Sequence, residues 1–151
     1  MKLFLDSNII IDALVNRNDS HKSARLLLAL AKLGEFNLVA SPSQWTDMYY
    51  ILTEGGKPSR DIEVRGKLAE VRTCVDVSMM GAEEIDRALA SSWKDFEDAA
   101  VYYAALSAEA DVLITNNKKD YDRADIAVYT CAEFFEWLSV AKGIRYEELA
   151  W

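Results

Sequence analysis

The sequence begins with an apolar run that is interrupted by three polar residues, LFLDSNIIIDAL at residues 3–14. Asp6, Ser7 and Asn8 separate an apolar segment of strand length from a second apolar segment, so we predict a buried strand followed directly by a helix. An Asp at such a junction is most often a helix N-cap. Capping accounts for one polar residue, and the other two need a further explanation.

The length and composition predict a single domain with a net negative charge. The chain has 151 residues, of which 51% are hydrophobic, which predicts one domain spanning residues 1–151. No apolar stretch approaches the ~20 residues of a membrane span, and the early Asp6 argues against a signal peptide, so we expect a cytoplasmic protein. The net charge of −8 argues against a broad phosphate-binding surface, although it allows a nucleic-acid substrate reached through metal ions.

The counts of cysteine and histidine limit the chemistry that a site could use. Cys74 and Cys131 lie far apart within apolar patterns, so we expect buried thiols rather than a disulfide or a metal site. His21 is the only histidine and lies in a polar stretch where we expect it to be solvated. These counts exclude most zinc sites and any Ser-His-Asp triad that does not use His21, so carboxylates are the expected catalytic groups.

Short apolar runs alternate with helical patterns along the chain. Strands are predicted at residues 2–5, 37–40 and 111–115, with shorter candidates at 74–77 and 126–130. Helical periodicity fills the intervals, apart from a clear break in the segment EGGKPSR at 54–60. This alternation predicts a three-layer α/β/α sandwich around a mostly parallel sheet of four to five strands.

Acidic and amide side chains follow these predicted strands, where the sites of parallel sheets form. Asp6 follows the first strand, Asp47 lies in the helix after the second, and Asn117 comes just after the strand at 111–115. Asp95 and Asp98 open the helix before that strand, with Asp95 better placed as the N-cap and Asp98 at the boundary of the core.

If Asp6, Asp47 and Asp98 meet, their mutual repulsion requires a proton or a cation. Two carboxylates 4–5 Å apart repel by about 3–4 kcal/mol at an effective dielectric constant of ~20. Mg²⁺ or Mn²⁺ suits a site built from oxygen ligands alone. Such an ion can activate a water molecule for attack on a phosphodiester without a histidine base.

The four acidic segments resemble, in the same order, the sequence blocks of the PIN domain, a ribonuclease fold best known from VapC-type toxins of toxin–antitoxin systems. The segments are FLDSNIIIDAL (4–14), LVASPSQWTDMYYIL (38–52), DFEDAAVYYAAL (95–106) and DVLITNNKKDY (111–121). The resemblance covers essentially the whole chain. It implies a PIN-like fold, a ribonuclease dependent on Mg²⁺ or Mn²⁺, a homodimer and an antitoxin partner.

The resemblance also implies roles for individual residues. Asp6 and Asp98 match two metal-binding aspartates of the family. Asp47 stands where most members have Glu, which favours a water-mediated metal contact, and Asn117 stands where many have a fourth Asp, which weakens any second metal site. The supporting residues would be Ser7 and Thr115 as hydrogen-bond donors, Asp120 as an alternative fourth acid, and Asp95 as a reserve acid besides its predicted cap.

Two other functions are considered beside the ribonuclease. A phosphatase of the haloacid-dehalogenase type needs a second Asp where this chain has Asn8, and its Thr and Lys motifs would have to precede the late acidic pair. A PIN-like domain that has lost catalysis and binds protein or RNA is the stronger rival. Asp47 and Asn117 favour that rival, whereas Asp6 and Asp98 favour catalysis.

Partner surfaces are predicted from aromatic and basic residues. Adjacent tyrosines in a helix cannot both face inward, so one member of Tyr49–Tyr50 and one of Tyr102–Tyr103 are expected at an edge or interface. With the resemblance, this suggests a homodimer and a groove for an antitoxin helix.

The expected RNA contacts are basic residues, namely Arg17, Lys57, Arg60, Lys118 and Lys119, of which the last two follow the site directly.

Overall fold

The computed structural model describes residues 1–146, and its centre is a sheet of five short strands. All neighbouring strands are parallel, in the order β3-β2-β1-β4-β5. The strands are β1 (Lys2–Leu5), β2 (Asn37–Ala40), β3 (Val75–Val77), β4 (Val112–Ile114) and β5 (Ala127–Tyr129). All the predicted strands are therefore confirmed, including the two shorter candidates.

Seven α-helices connect and cover these strands within the described residues. They are α1 (Ser7–Leu14), α2 (His21–Lys32), α3 (Pro42–Leu52), α4 (Asp61–Arg72), α5 (Ala82–Ala90), α6 (Phe96–Ser107) and α7 (Cys131–Lys142). Short 3-10 turns lie at Pro58–Arg60 and Lys118–Tyr121. The predicted break at 54–60 is confirmed, because Glu54, Gly55 and Gly56 have positive φ angles of 53°, 89° and 85° that end the helical conformation after α3.

The central strand β1 shows why the sheet needs a layer of helices on each face. Leu3, Phe4 and Leu5 are all fully buried. Leu3 and Leu5 join one apolar cluster, and Phe4 points to a second cluster formed with α6. Successive residues of a strand face opposite sides, so burial on both sides produces the predicted three-layer sandwich.

The strand order places a crevice beside β1. The chain moves outward in one direction from β1 through β2 to β3, and in the other through β4 and β5. In open parallel sheets, ligands bind outside the carboxyl ends of the strands where the strand order reverses. Here that point lies between β1 and β4, which pair in register through Leu5 and Ile114.

The predictions for the two cysteines and for the paired tyrosines are also confirmed. Cys131 is buried, Cys74 is partly buried, and both are free thiols. Tyr102 is buried while Tyr103 is only partly so, and Tyr50 is 63% exposed. Over the residues that the structure describes, no helix is long and apolar enough to cross a membrane.

Candidate active site

The pairing of β1 with β4 brings Asp6 next to Thr115. The backbone N–H of Asp6 donates to the Ile114 carbonyl at 2.9 Å, which extends the strand ladder by one residue. Thr115 Oγ1 then donates to Asp6 Oδ2 at 2.8 Å, and Asn8 Nδ2 donates to the same oxygen at 3.1 Å. Asp6 occupies the N-cap position of α1, but its side chain makes no cap hydrogen bond, so capping does not explain this residue.

Helix α6 carries the second acid of the site. Asp95 is the N-cap, as predicted, and accepts hydrogen bonds from the N–H groups of Glu97 at 2.8 Å and Asp98 at 3.2 Å. Asp98 is partly exposed, whereas the following Ala99 and Ala100 are buried. This places Asp98 at the boundary of the core, where Tyr121 donates from its hydroxyl to Asp98 Oδ1 at 3.5 Å.

The surroundings of these two aspartates disfavour their charged forms. Burial, followed by the charges of Asp6, Asp95 and Asp120, raises the pKa of Asp98 from 3.8 to about 7. Burial also raises the pKa of Asp6, although hydrogen bonds from Thr115 and other donors oppose the change. Neighbouring carboxylates with raised pKa values are typical of functional sites, and a cation bound by them would relieve the same repulsion.

Asp47 lies on the side of the site occupied by Glu97. Burial raises the pKa of Glu97, and the charges of Asp47, Asp95 and Asp6 raise it further. Glu97 is exposed, but its side chain lies close enough to these acids for their charges to affect its pKa. Within residues 1–146, no three side chains of His, Cys, Asp or Glu are close enough together to hold a metal ion.

The donor set nevertheless suits one kind of ion. Mg²⁺ is commonly bound through one or two carboxylates, with water and substrate phosphates completing its six ligands. Asp6 and Asp98, which lie close enough for the charge of Asp6 to raise the pKa of Asp98, would supply two such oxygen donors. Asp47 is the shorter acid for which the family resemblance favoured a water-mediated contact. The residues present therefore fit a hard divalent cation that is shared with substrate.

The remaining predicted site residues differ in how they reach the two aspartates. Thr115 bonds Asp6 directly, and Asp120 acts through its charge on Asp98. Ser7 contributes to Asp6 through its backbone, while its hydroxyl oxygen accepts from Gln44 Nε2 at 3.3 Å. The role of its hydroxyl as a donor to the acids stays a prediction. Asn117 is exposed, and its backbone N–H donates to Thr115 Oγ1 at 3.0 Å.

A buried carboxylate beside this site was not predicted from the sequence. Asp12 in α1 is fully buried and accepts hydrogen bonds from Arg17 Nε at 2.6 Å, from Ser20 Oγ and from Asn116 Nδ2 at 2.5 Å. The backbone N–H of Asn116 donates in turn to Asn8 Oδ1 at 3.2 Å. An acid within the apolar run IIIDAL was the signal that could have revealed a buried, hydrogen-bonded carboxylate.

This network also changes two expectations about basic residues. His21 is not simply solvated, because its Nδ1 lies 2.6 Å from the Asp12 carbonyl oxygen. Arg17 is held by Asp12, and the other predicted RNA contacts are partly engaged as well. Lys57 and Arg60 pair with Glu54, Lys118 pairs with Glu133 at 3.0 Å, and Lys119 is exposed.

The sequence of this chain matches the model of a known family. The family model of the PIN domain matches residues 2–119, and the chain belongs to this family. The resemblance read from the four sequence blocks is thus confirmed, and the matched range contains Asp6, Asp47, Asp98 and Asn117.

One named relative and two solved structures are similar to this chain over most of its length. The chain is 27% identical over 140 residues to Ribonuclease VapC1 of Aquifex aeolicus strain VF5, covering 89% of this chain and 94% of that protein. VapBC2 from Rickettsia felis, solved with a DNA fragment from its promoter, matches with a TM-score of 0.63 at 17% identity, covering 85% of this chain and 97% of that one. VapBC-1 from nontypeable Haemophilus influenzae matches with a TM-score of 0.62 at 22% identity, over 87% and 99% of the two chains.

Proposed function

We propose that this protein is an endoribonuclease of the VapC type that uses Mg²⁺ or Mn²⁺ and acts as the toxin of a toxin–antitoxin pair. The observation that carries the proposal is that Asp6 at the end of β1 and Asp98 in α6 lie in surroundings that raise the pKa of both carboxyls, with the charge of Asp6 among the causes for Asp98. Similarity to a protein named as a ribonuclease over most of both chains supports the choice of RNA as substrate.

The chain's own residues supply binding and orientation. Asp6 and Asp98 would hold the ion, Asp47 and Glu97 would act on its water ligands, and Lys119 would bind a substrate phosphate. When bound, the ion activates water for attack on phosphorus and stabilises charge on the phosphoryl oxygen. The hydrogen bonds from Thr115 and Asn8 keep the Asp6 carboxylate in one orientation before the ion arrives.

Cleavage of structured RNA with and without the ion tests the proposal. We expect the wild-type protein to cut RNA when Mg²⁺ or Mn²⁺ is present and to stop when a chelator is added. We expect Asp98→Asn to lower the rate at least about a hundredfold, because it removes a charged ion ligand. Asp86→Asn, which changes an exposed acid on α5, serves as the matched control and should cut normally.

The alternative is a catalytically weak PIN-like domain that binds protein or RNA. Asn117 in place of an acid, and the absence of three clustered metal-binding side chains within residues 1–146, favour it. Thermal unfolding separates the two functions, since an ion that binds the native state raises the unfolding midpoint. A midpoint that Mn²⁺ leaves unchanged, in wild type and in Asp6→Asn alike, would support the binding module.

This protein has a groove that would suit a helix of an antitoxin partner. A cavity of about 460 Å³ lies between α1, α2 and α4, with Leu14, Leu28 and Val71 among its apolar lining and Lys32 and Lys67 among its charged lining. The apolar lining fits the apolar face of an amphipathic helix, while Lys32 and Lys67 are paired with Glu70 and Glu63. Co-expression with the product of a neighbouring small reading frame tests this partner: the proposal predicts a stable complex that no longer cuts RNA.

The proposal includes a cytoplasmic location and a homodimer. Free thiols at Cys74 and Cys131 suit a reducing compartment, where RNA is also found. A second copy of the chain is the natural partner for the exposed apolar residues at the end of α3.

A further inference from the structure

Tyr121 brings a buried hydroxyl to the acidic site. It is the last residue of the 3-10 turn Lys118–Tyr121, and only 2% of its surface is exposed. The hydroxyl donates to Asp98 Oδ1 at 3.5 Å and also has a hydrogen-bonding interaction with the Asp6 carboxylate. One phenol therefore interacts with both acids, which come from different elements of the fold.

The ring of Tyr121 is positioned by packing that does not depend on its hydroxyl. It meets Trp93 edge to face, with 5.7 Å between ring centroids, and belongs to the apolar cluster that contains Phe4 and Leu113. Trp93 is stacked in turn on Tyr102 at 4.8 Å. A phenylalanine would fill the same space, so packing alone does not require a hydroxyl at this position.

Burying a hydroxyl costs free energy unless it finds a hydrogen-bond partner. The partners found for the Tyr121 hydroxyl within residues 1–146 are the carboxylates of Asp98 and Asp6. The two acids differ in their other support. Asp6 Oδ2 already accepts from Thr115 and Asn8, whereas for Asp98 the side-chain donor found in the described residues is Tyr121.

We propose that Tyr121 is a positioning residue of the site, whose hydroxyl orients the Asp98 carboxylate, and secondarily that of Asp6, for binding the divalent ion. This inference rests on the proposed function and adds a residue to it. Groups that hydrogen-bond to metal ligands fix the direction of the ligating oxygen, and their removal commonly costs about 10- to 100-fold in metal affinity. The rigid packing around Trp93 makes Tyr121 a well-fixed donor for that purpose.

Tyr121→Phe tests the proposal, because it removes the hydroxyl and keeps the ring. We expect Mn²⁺ binding, measured by calorimetry on the whole protein, to weaken about tenfold. The ion-free thermal midpoint should change by no more than about 4 °C. RNA cleavage should return toward the wild-type rate when Mn²⁺ is raised in excess, which would not occur if the substitution had only damaged the fold.

Tyr102→Phe is the matched control. Tyr102 is a buried tyrosine of the same apolar cluster, but its hydroxyl accepts from the backbone N–H of Asp125 at 3.1 Å. We expect this control to bind Mn²⁺ as the wild type does. Wild-type affinity in Tyr121→Phe would overturn the role of Tyr121 alone, whereas a wild-type protein that binds no Mn²⁺ would overturn the proposed function together with this inference.

Discussion

At the scale of single residues, the site changes how two aspartates respond to pH. The pKa of Asp98 in the folded protein is about 7, against an ordinary value of 3.8, and that of Asp6 is raised as well. The folded state therefore binds more protons than the unfolded state between about pH 4 and pH 7. The free energy of unfolding of the ion-free protein therefore falls as pH rises through this range. The full loss of stability is reached above pH 7.

Asp98→Asn should therefore stabilise the ion-free protein at alkaline pH. Near pH 8 we expect the free energy of unfolding to rise by on the order of 1 kcal/mol, a value already reduced for the solvent screening of a partly exposed group. The gain should shrink as pH falls toward about 4, where the wild-type carboxyl is also neutral. Urea unfolding at both pH values measures the effect, with Asp86→Asn as control; a variant less stable than wild type near pH 8 would contradict it.

Asn117 is the residue at which the chain departs most from the acids of its family. Asn117→Asp adds a carboxylate after β4, where it would increase the negative charge that attracts a divalent ion. We expect the affinity for Mn²⁺ to rise about tenfold. Asn37→Asp is the control for net charge, because Asn37 is exposed at the opposite end of the sheet, at the start of β2. Equal changes in both variants, measured by calorimetry, would show a nonspecific charge effect instead.

At the scale of elements, the fold was more predictable than the site. Buried parallel strands are short apolar runs with clear ends, so β1 and β2 were predicted with their observed bounds. Asp95 was recognised as a cap because capping is a local interaction. The Asp12 network depends on Asn116, which is 104 residues away, and local patterns carry no information about such a contact.

Asp12→Asn should destabilise the fold because it disrupts this network between α1 and the segment after β4. Burial raises the pKa of Asp12, but hydrogen bonds from Ser20 and Arg17 outweigh it and leave the pKa lowered. The stabilisation is thus present above pH 3.8 and is lost as pH falls through the folded pKa. We expect a loss of about 2–3 kcal/mol near pH 7 by urea unfolding.

Asp19→Asn is the matched control for Asp12, because it changes an exposed acid in the same connection. This control should keep the wild-type free energy of unfolding. A loss of the same size in both variants would mean that the buried network contributes nothing of its own.

At the scale of the whole molecule, charge and exposed apolar surface determine the partners. The net charge is −8, and four of the predicted RNA-contacting cations are already paired with acids. RNA binding is thus expected to depend on the divalent ion and on exposed Lys119. Whether the three predicted acids converge could not be derived from strand order alone, because strand order gives the edge of the sheet but not the distances between side chains.

A homodimer is predicted through exposed apolar residues on the neighbouring helices α3 and α4. Tyr50, Ile51 and Ile62 are 63%, 51% and 88% exposed. We expect Ile51→Lys together with Ile62→Lys to convert a dimer to a monomer, because charges would enter the interface. Val140→Lys, at an 83% exposed position on α7, should leave the dimer intact. Light scattering across micromolar concentrations measures the mass, and a monomeric wild type would contradict the prediction.

The central claim is that Asp6 and Asp98 together bind one catalytic divalent ion. Calorimetric titration of Mn²⁺ into the wild type, Asp6→Asn and Asp98→Asn tests this claim most directly, since it does not depend on knowing the RNA. The account predicts saturable binding in the wild type, weakened at least about tenfold in each variant. Equal Mn²⁺ affinity in all three proteins would contradict it.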